Sequence, residues 1–587
     1  MEKPTINNAS AFAAPVSIGA NVLRGERVCA PRLAARKVAT RAASRAPTMV
    51  LQEVEHGGKF LSEIALEKAR KGTKIEKLKL EKDGSAIWDE IPELAELLRK
   101  GQTSWDDLQV DDLETRFKWA GLFHRKKRTP RRFMMRLKVP NGLLDANQMR
   151  YFARVLEKYG DDGCADITTR MNIQLRGIVL EDAGDICDGL YKIGLTSYMS
   201  GMDNVRNMVG SPIAGIDPEE IVDTRELCIA INDMITNNRR GNPALTNLPR
   251  KFNICVSGSR DDFAHTHIND VGLVPMVHPT TKEVGFNVVI GGFFSIKRNA
   301  EAIPMDVWLP YKDVVRFCET LLIWFRDNGD RKNRMSSRLM YMVDKLTMSG
   351  FREVIQEEFG SKFRRAVDGG EEYATPAPRR NVLGVHAQKQ EGLSWVCGNV
   401  PAGRLTAEDF TKLADVAERY SNGEMRLTVE QNVLFPNVKN EEVAGLLGEE
   451  IMGKFKTERK GVSAGLVSCT GAQFCGLAII ETKNRAIEVA RRLDEEVELD
   501  REVRMHWTGC PNSCGQAQVA DIGLMGGAAR KDGKGVEGVK MFLGGRIGED
   551  AHLGDLKDKK AIPADIDDLV PVLKDVLIKQ FGAKERK

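Results

Sequence analysis

LKVPNGLLDANQMRYFARVLEKYG, residues 137–160, returns as GNVPAGRLTAEDFTKLADVAERYS, residues 398–421, at a constant offset of 261. Farther on, TTRMNIQLRGI (168–178) is echoed by LTVEQNVLFPNV (427–438), with Asn172 matching Asn432 at an offset of 260, so one indel covers the difference. In each copy a strand leads through a Val-Pro-x-Gly turn into an amphipathic helix and then a second strand, the skeleton of an α+β half-domain. Two copies this far apart are too few for a solenoid. They predict two half-proteins about a pseudo-twofold axis, with sites between the halves. Gly369, Gly370, Pro376 and Pro378 mark 366–392 as a crossover linker.

Around this repeat, residues 50–120 read mainly as helix, for example over 91–100, where Pro92 would fall in a first turn. The run Arg125, Lys126, Lys127, Arg128, Thr129, Pro130, Arg131, Arg132 precedes a strand-like FMMRLKV and is either a solvated loop or a cofactor or partner surface.

The first fifty residues stand apart. They hold eight Lys or Arg against Glu2 and Glu26 in an Ala- and Ser-rich background, the composition of an organelle transit peptide. A disordered basic arm is the alternative. Without them the formal charge moves from +4 to −2, so bulk charge does not support nucleic-acid binding. With 42% hydrophobic and 29% charged residues and no apolar run near the roughly 20 residues needed to span a bilayer, no membrane insertion is expected.

Eleven cysteines, odd in number and widely scattered, do not resemble a secreted disulfide framework. The last four are different. SCTGAQFCG (468–476) and GCPNSCG (509–515) give C-x5-C and C-x3-C pairs from Cys469, Cys475, Cys510 and Cys514. Four thiolates suit a [4Fe-4S] cluster or a tetrahedral zinc. The five-residue spacing is long for zinc, and flanking glycines suit loops wrapped around a bulky cluster. Spacing alone leaves zinc and merely buried thiols open. The stretches after Cys475 and Cys514 are expected to begin helices whose N-terminal amides face the metal site. A G-x-G-x-x-G at Gly533, Gly535 and Gly538 precedes VKMFLGG, a strand-like run, so it reads as a turn rather than a dinucleotide site.

The two cysteine motifs, the duplicated half-domain and LPRKFNI (248–254) together resemble the sirohaem-containing nitrite and sulfite reductases, over nearly everything after residue 50. The resemblance implies an α+β, internally duplicated, pseudo-twofold architecture of ferredoxin-like half-domains and sirohaem/iron-sulfur domains. The expected division is a transit peptide (1–49), an N-terminal helical segment (50–130), a first ferredoxin-like half-domain (131–200), a first sirohaem-binding domain (201–365), the linker (366–392), a second half-domain (393–445), and a second sirohaem and [4Fe-4S] domain (446–587). By matched position the cluster ligands are the four cysteines, with Cys514 bridging to the sirohaem iron. The substrate-side residues are Arg136, Arg206, Lys251 and Asn253. Arg170, Asn172, Gln174 and Arg250 are implied around the many carboxylates of sirohaem. Met171, Ile173 and Ala472 depart from the plant pattern of Gln, Trp and Asn, which puts local haem packing in question.

Sulfite-reducing members read K-F-K where this chain has Lys251-Phe252-Asn253. Asn in place of a second Lys suits the nitrite monoanion, so nitrite is expected and sulfite is the alternative. The implied donor is reduced ferredoxin, an acidic protein, and the implied setting is the chloroplast stroma, as a monomer. A zinc-stabilised RNA-binding protein, the alternative from another class, would be colourless where the reductase would be coloured.

Overall fold

In the computed structural model the described residues are 59–126, 128–278, 281–366 and 377–586. The leader expected over 1–49 and residues 367–376 of the expected linker lie outside them.

Helices Glu63–Arg70, Lys74–Glu81, Ile87–Arg99 and Val110–Glu114 occupy the stretch expected to be helical. Ser62 starts the first, its hydroxyl accepting from the Ala65 N–H at 3.2 Å, which satisfies one of the orphan amides of a helix start. The third helix begins at Ile87, earlier than the expected 91–100, so Pro92 lies in its interior rather than its first turn. Proline has no N–H for the carbonyl four residues back. That carbonyl, of Trp88, accepts instead from the Tyr198 hydroxyl at 3.3 Å, and the two rings stack 5.5 Å apart.

The repeat builds two five-stranded antiparallel sheets. One runs Leu122–Arg125, Thr129–Arg136, Ile173–Ile178, Ala165–Ile167, Arg404–Leu405; the other runs Gly384–Ala387, Leu393–Gly398, Val433–Lys439, Glu424–Leu427, Leu143–Asp145. Each half thus lends its short strand to the other's sheet: Leu143 pairs with Arg426, and Arg404 pairs with Asp166. Each exchange covers one edge of the receiving sheet's own strands and fastens the halves together through backbone pairing. Gly384–Ala387, inside the stretch expected as linker, is an edge strand. The turn that launches each exchanged strand puts two successive residues in the left-handed region, Asn141 and Gly142 (φ 54° and 68°) and Ala402 and Gly403 (49° and 69°). Capping boxes follow at matching places, Asp145 with Gln148 and Thr406 with Asp409, each worth about 1 kcal/mol. The two helices so started, Ala146–Glu157 and Ala407–Tyr420, meet with Phe152 edge-to-face on Phe410 at 5.4 Å.

Two mixed sheets, of four and six strands, carry a second duplication, one copy in each of the expected domains 201–365 and 446–587. Ile254–Val256 runs parallel to Val271–Val277, which pairs antiparallel with Val284–Ile290 and onward to Ile303–Pro310. Met505–Thr508 runs parallel to Ile522–Lys531, which pairs antiparallel with Lys534–Leu543. Ile254 faces Val271 as Met505 faces Ile522, a common shift of 251. His265 and Gln516, also 251 apart, both take left-handed φ (54° and 57°) before a single 3-10 turn. Their side chains meet, His265 Nδ1 to Gln516 Oε1 at 3.1 Å. The helices Lys483–Glu496 and Ile566–Phe581 cover the Cys-bearing sheet with Val489, Leu493, Leu573 and Leu577 packed against Trp507 and Leu524.

Two expectations near the cysteines change. The helix after Cys475 starts only at Lys483, and the stretch after Cys514 forms one 3-10 turn, Ala517–Val519, before the next strand. A strand has to begin at Ile522 to pair with Met505, which leaves no room for a longer helix. The glycine triplet lies in the hairpin between Ile522–Lys531 and Lys534–Leu543, with Gly533 at φ 76° in its turn.

Candidate active site

Leu466–Ser468 and Met505–Thr508 are neighbouring parallel strands, so Cys469 and Cys510 leave the same end of one sheet. The Cys469 N–H donates to Trp507 O at 3.0 Å, and the Gly509 N–H donates to Cys469 Sγ at 3.1 Å. Asn512 Nδ2 stands 3.5 Å from Cys510 Sγ. A Cβ on Gly515 would lie 2.1 Å from Trp507 O, so only glycine lets the Cys514 loop approach this closely. From the first half-domain, Thr169 Oγ1 donates to Cys514 O at 3.0 Å.

The Cys469–Cys475 loop is fastened to the opposite half. Arg176 donates to Thr470 Oγ1 at 2.7 Å and to Asp166 Oδ2, and the Phe474 ring lies between the Arg176 and Arg404 guanidiniums at 4.3 and 5.2 Å. Burial alone would raise the Asp166 carboxyl, yet Arg176, Lys483 and Arg404 hold it far below the usual range.

The four sulfurs act on one another. Burial lifts the Cys469 thiol to about 11, with Cys514 adding to the rise. Burial likewise raises Cys510, with contributions from Cys514 and Cys475. Among the described residues no group of three or more His, Cys, Asp or Glu side chains is placed to hold a single metal ion. Four sulfur donors within electrostatic reach of one another, two of them beside N–H groups, fit a [4Fe-4S] cluster in donor chemistry.

Cys514 also faces the cations. Arg136 ends the strand Thr129–Arg136, while Arg206 and Lys251 lie on adjoining segments joined by the Arg206 N–H to Phe252 O bond at 2.8 Å. Burial pushes Arg136 down to about 10 and Lys251 to about 7, and in both the Cys514 sulfur pulls back upward. Arg170 is lowered by burial to about 10, and Arg206 falls well below its ordinary value through burial and Arg136. Lys138, which sequence reading did not single out, is fully buried, donates to Val205 O at 3.0 Å, and is lowered to about 7 by burial and then by Arg206 and Arg170.

Among the described residues none of Arg136, Arg170, Arg206, Lys138 and Lys251 has a carboxylate at ion-pairing distance; their protein contacts are to neutral groups. Lys138 is buried and the other four are half-buried; cations held partly out of water without counter-charge are costly. They fit a ligand that brings anionic groups, as a polycarboxylate tetrapyrrole and an oxyanion would.

The remaining expected residues have different duties. Arg170 donates to Asn269 Oδ1 at 2.8 Å and to the carbonyls of Asn207 and Ile254, leaving Nε without a partner. Asn172 donates to Leu137 O at 2.7 Å and its oxygen meets the Thr168 hydroxyl, so both ends of the amide are engaged by protein. Its repeat counterpart Asn432 instead accepts from the Val400 N–H through Oδ1 at 3.2 Å. Gln174 Oε1 accepts from Arg176 at 3.4 Å. Arg250 donates to Arg334 O at 3.2 Å and is lowered mainly by burial. The Asn253 N–H donates to Asp270 Oδ2 at 2.8 Å, and no hydrogen bond among the described residues holds its side chain.

Behind this layer is a buried ionic frame that sequence reading missed. Asp270 pairs with Arg338 at 2.5 Å; Asp203 pairs with Arg334 and Lys79, each at 2.7 Å; Glu76 pairs with Lys79 and Arg331, each at 2.6 Å. Glu76 and Lys79 sit three apart on a short polar helix, a pattern indistinguishable from a surface pair until its burial is known.

The duplication has diverged in chemistry. By the shift of 251, Glu502, Arg504 and Asp521 stand where the other half has Lys251, Asn253 and Asp270, and they line a cleft of about 700 Å³. There Glu502 and Glu430 compensate Arg379, and Asp521 stands 3.5 Å from Arg504.

Residues 201–363 and 463–586 match the family described as "Nitrite and sulphite reductase 4Fe-4S domain", and residues 125–193 and 386–449 match "Nitrite/Sulfite reductase ferredoxin-like half domain". The chain is 50% identical over 515 residues to the chloroplastic ferredoxin--nitrite reductase of Spinacia oleracea, covering 87% of this chain and 86% of the relative. It is 48% identical over 514 residues to the ferredoxin--nitrite reductase of Synechococcus elongatus, covering 87% and 97%. The solved structure of the Mycobacterium tuberculosis NirA protein superposes with a TM-score of 0.77 at 26% identity, covering 86% of this chain and 93% of that one. The exchanged half-domains, the four-sulfur site and these matches agree, and the chain belongs to the nitrite and sulphite reductase family.

Proposed function

We propose that this protein reduces nitrite to ammonium with electrons from reduced ferredoxin. The observation that carries the reading is the set of cations without a carboxylate at ion-pairing distance, of which Arg136 and Lys251 lie within electrostatic reach of Cys514. Nitrite takes up six electrons and eight protons to give ammonium and two waters, six donors each losing one electron. The four cysteines would hold a [4Fe-4S] cluster and the cationic cavity the carboxylates of sirohaem, a pair that supplies electrons singly to the nitrogen, with Cys514 as the shared ligand.

Arg136 and Arg206 offer fixed positive charge and forked donors to a small oxyanion. Lys251, with its pKa lowered by burial to about 7, can hold a proton on Nζ and release it to a departing oxygen near neutral pH. Asn253 adds hydrogen-bonding capacity without a further charge, which suits a monoanion. Lys138 fixes the carbonyls on either side of the Val205–Arg206 peptide and so positions Arg206.

No helix among the described residues is long and apolar enough to cross a membrane. Plant relatives that carry the word chloroplastic in their names support a plastid location, and the stroma is the compartment we assign. Internal pseudo-symmetry supports action as a monomer. Purified protein assayed with reduced ferredoxin on nitrite and sulfite side by side tests the reading. A higher kcat/KM for sulfite would make it a sulfite reductase instead.

A further inference from the structure

The hairpin of Leu122–Arg125 and Thr129–Arg136 carries its turn to the cluster loop: a Cβ built on Gly476 would stand 3.8 Å from Arg125 Cδ. Arg125, Lys126 and Arg128 have no carboxylate partner among the described residues; the Arg125 side chain donates to the His124 carbonyl and lies over the Phe123 ring at 5.6 Å. Arg131 touches Asp106 at 3.7 Å with both side chains mostly exposed, a pairing that neutralises little. These are cations concentrated on one edge of a protein whose remainder after the leader has a formal charge of −2.

Beside them, on the same loop as Cys475, Leu477 is 65% exposed and Ile479 45% exposed. Two large aliphatic side chains bared within four residues of a sulfur ligand do not serve the folded core. An apolar centre with a charged rim is the anatomy of a protein docking patch, and rim charges of one sign speed encounter with a partner of the other. Cys475 belongs to the loop that forms this surface, and the Ile479 N–H donates to the carbonyl of Gly509 beside Cys510 at 2.8 Å. A carrier seated here would bring its redox centre to the near edge of the cluster site.

We propose that Leu477 and Ile479, rimmed by Arg125, Lys126 and Arg128, form the docking surface for a small acidic iron-sulfur electron carrier, ferredoxin. This rests on the reading of the chain as a ferredoxin-dependent reductase and adds where the donor binds. The rim accounts for attraction that weakens with salt, and the aliphatic pair accounts for the part that salt does not screen.

The test uses holoenzyme with two changes made separately: Leu477→Asp, and Lys126→Glu combined with Arg128→Glu. Ferredoxin affinity is measured by titration calorimetry at low and high salt. Nitrite reduction is measured with reduced ferredoxin and with dithionite-reduced methyl viologen, a small donor that needs no docking surface. Each variant is expected to weaken ferredoxin binding about tenfold or more and to keep the viologen-driven rate and visible spectrum of the unaltered enzyme. The charge reversal is expected to flatten the salt dependence as well. Because Leu477 shares a loop with Cys475, the hairpin variant decides the matter: a ferredoxin Kd within twofold of the unaltered enzyme overturns the proposal. Failure of the unaltered holoenzyme to reduce nitrite with methyl viologen would instead overturn the functional reading.

Discussion

Lys251 permits a prediction whose sign follows from its surroundings. Burial, then Arg338, drive its pKa from 10.5 down to about 7, while the Cys514 sulfur opposes the shift. The anionic groups this cavity is built to receive act in the same direction as Cys514. The working pKa is therefore expected above about 7 and below the ordinary lysine value. As proton donor, Lys251 acts only when charged. With saturating nitrite and methyl viologen as donor, kcat should be level at low pH and fall about tenfold per unit once pH exceeds that pKa. Lys251→Arg keeps the charge throughout this range but does not give up a proton. It should retain nitrite affinity within a fewfold, lower kcat by about 100-fold or more, the contribution typical of a positioned acid, and remove the high-pH fall. Lys251→Met should lose both charge and proton, raising KM as well. The assay is a pH–rate series from 6 to 9 on the three proteins. The same high-pH limb in Lys251→Arg as in the unaltered enzyme would refute the assignment of that limb to Lys251, and a kcat unchanged by either substitution would refute its role.

Cys514→Ser should disturb both cofactors, because this sulfur faces the other thiols and the cationic cavity alike; normal cluster and haem spectra in that variant would remove its bridging role. Asn253→Lys should move the ratio of kcat/KM values toward sulfite, and an unchanged ratio would end the use of that position as the substrate discriminator. Asp203→Asn should leave Lys79 and Arg334 buried without their shared carboxylate, a loss of about 3–5 kcal/mol for a broken buried pair, read as a lower thermal midpoint. Burial would raise the Asp203 carboxyl, but Arg334 and Lys79 hold it below the ordinary range. The stability it contributes is thus present above the ordinary aspartate pKa of about 4 and is lost as pH falls below it. The unaltered enzyme and Asp203→Asn should therefore converge in stability on acidification, and a gap that widens toward low pH would contradict this account.

The features legible in the chain are those written in local chemistry. The Val-Pro-x-Gly turns and the capping boxes at Asp145 and Thr406 act over a few residues, so the repeat showed itself as text before any contact was known. The cysteine motifs were legible because ligands held by tight glycine-rich loops must be close in sequence. By contrast, the trading of strands Leu143–Asp145 and Arg404–Leu405 between sheets depends on partners some 240–280 residues away. The second duplication, marked by His265 and Gln516, was legible only through family resemblance, because it keeps backbone geometry while changing most side chains. Pro92 is another such case: only Tyr198 explains how a proline is tolerated inside a helix.

Sequence by itself determined the half-domain pattern and the four metal-ligating candidates, since those rest on spacing and side-chain chemistry; the substrate-side residues came through family resemblance. It did not determine that Lys138 is buried and Arg136, Arg206 and Lys251 half-buried with no carboxylate at ion-pairing distance, nor that Glu502 and Glu430 compensate Arg379 on the duplicated side. Whether a cation is a solvated surface group or part of an anion site depends on its burial and on which carboxylates fold beside it. Those are properties of the assembled halves, and only the tertiary structure decided them.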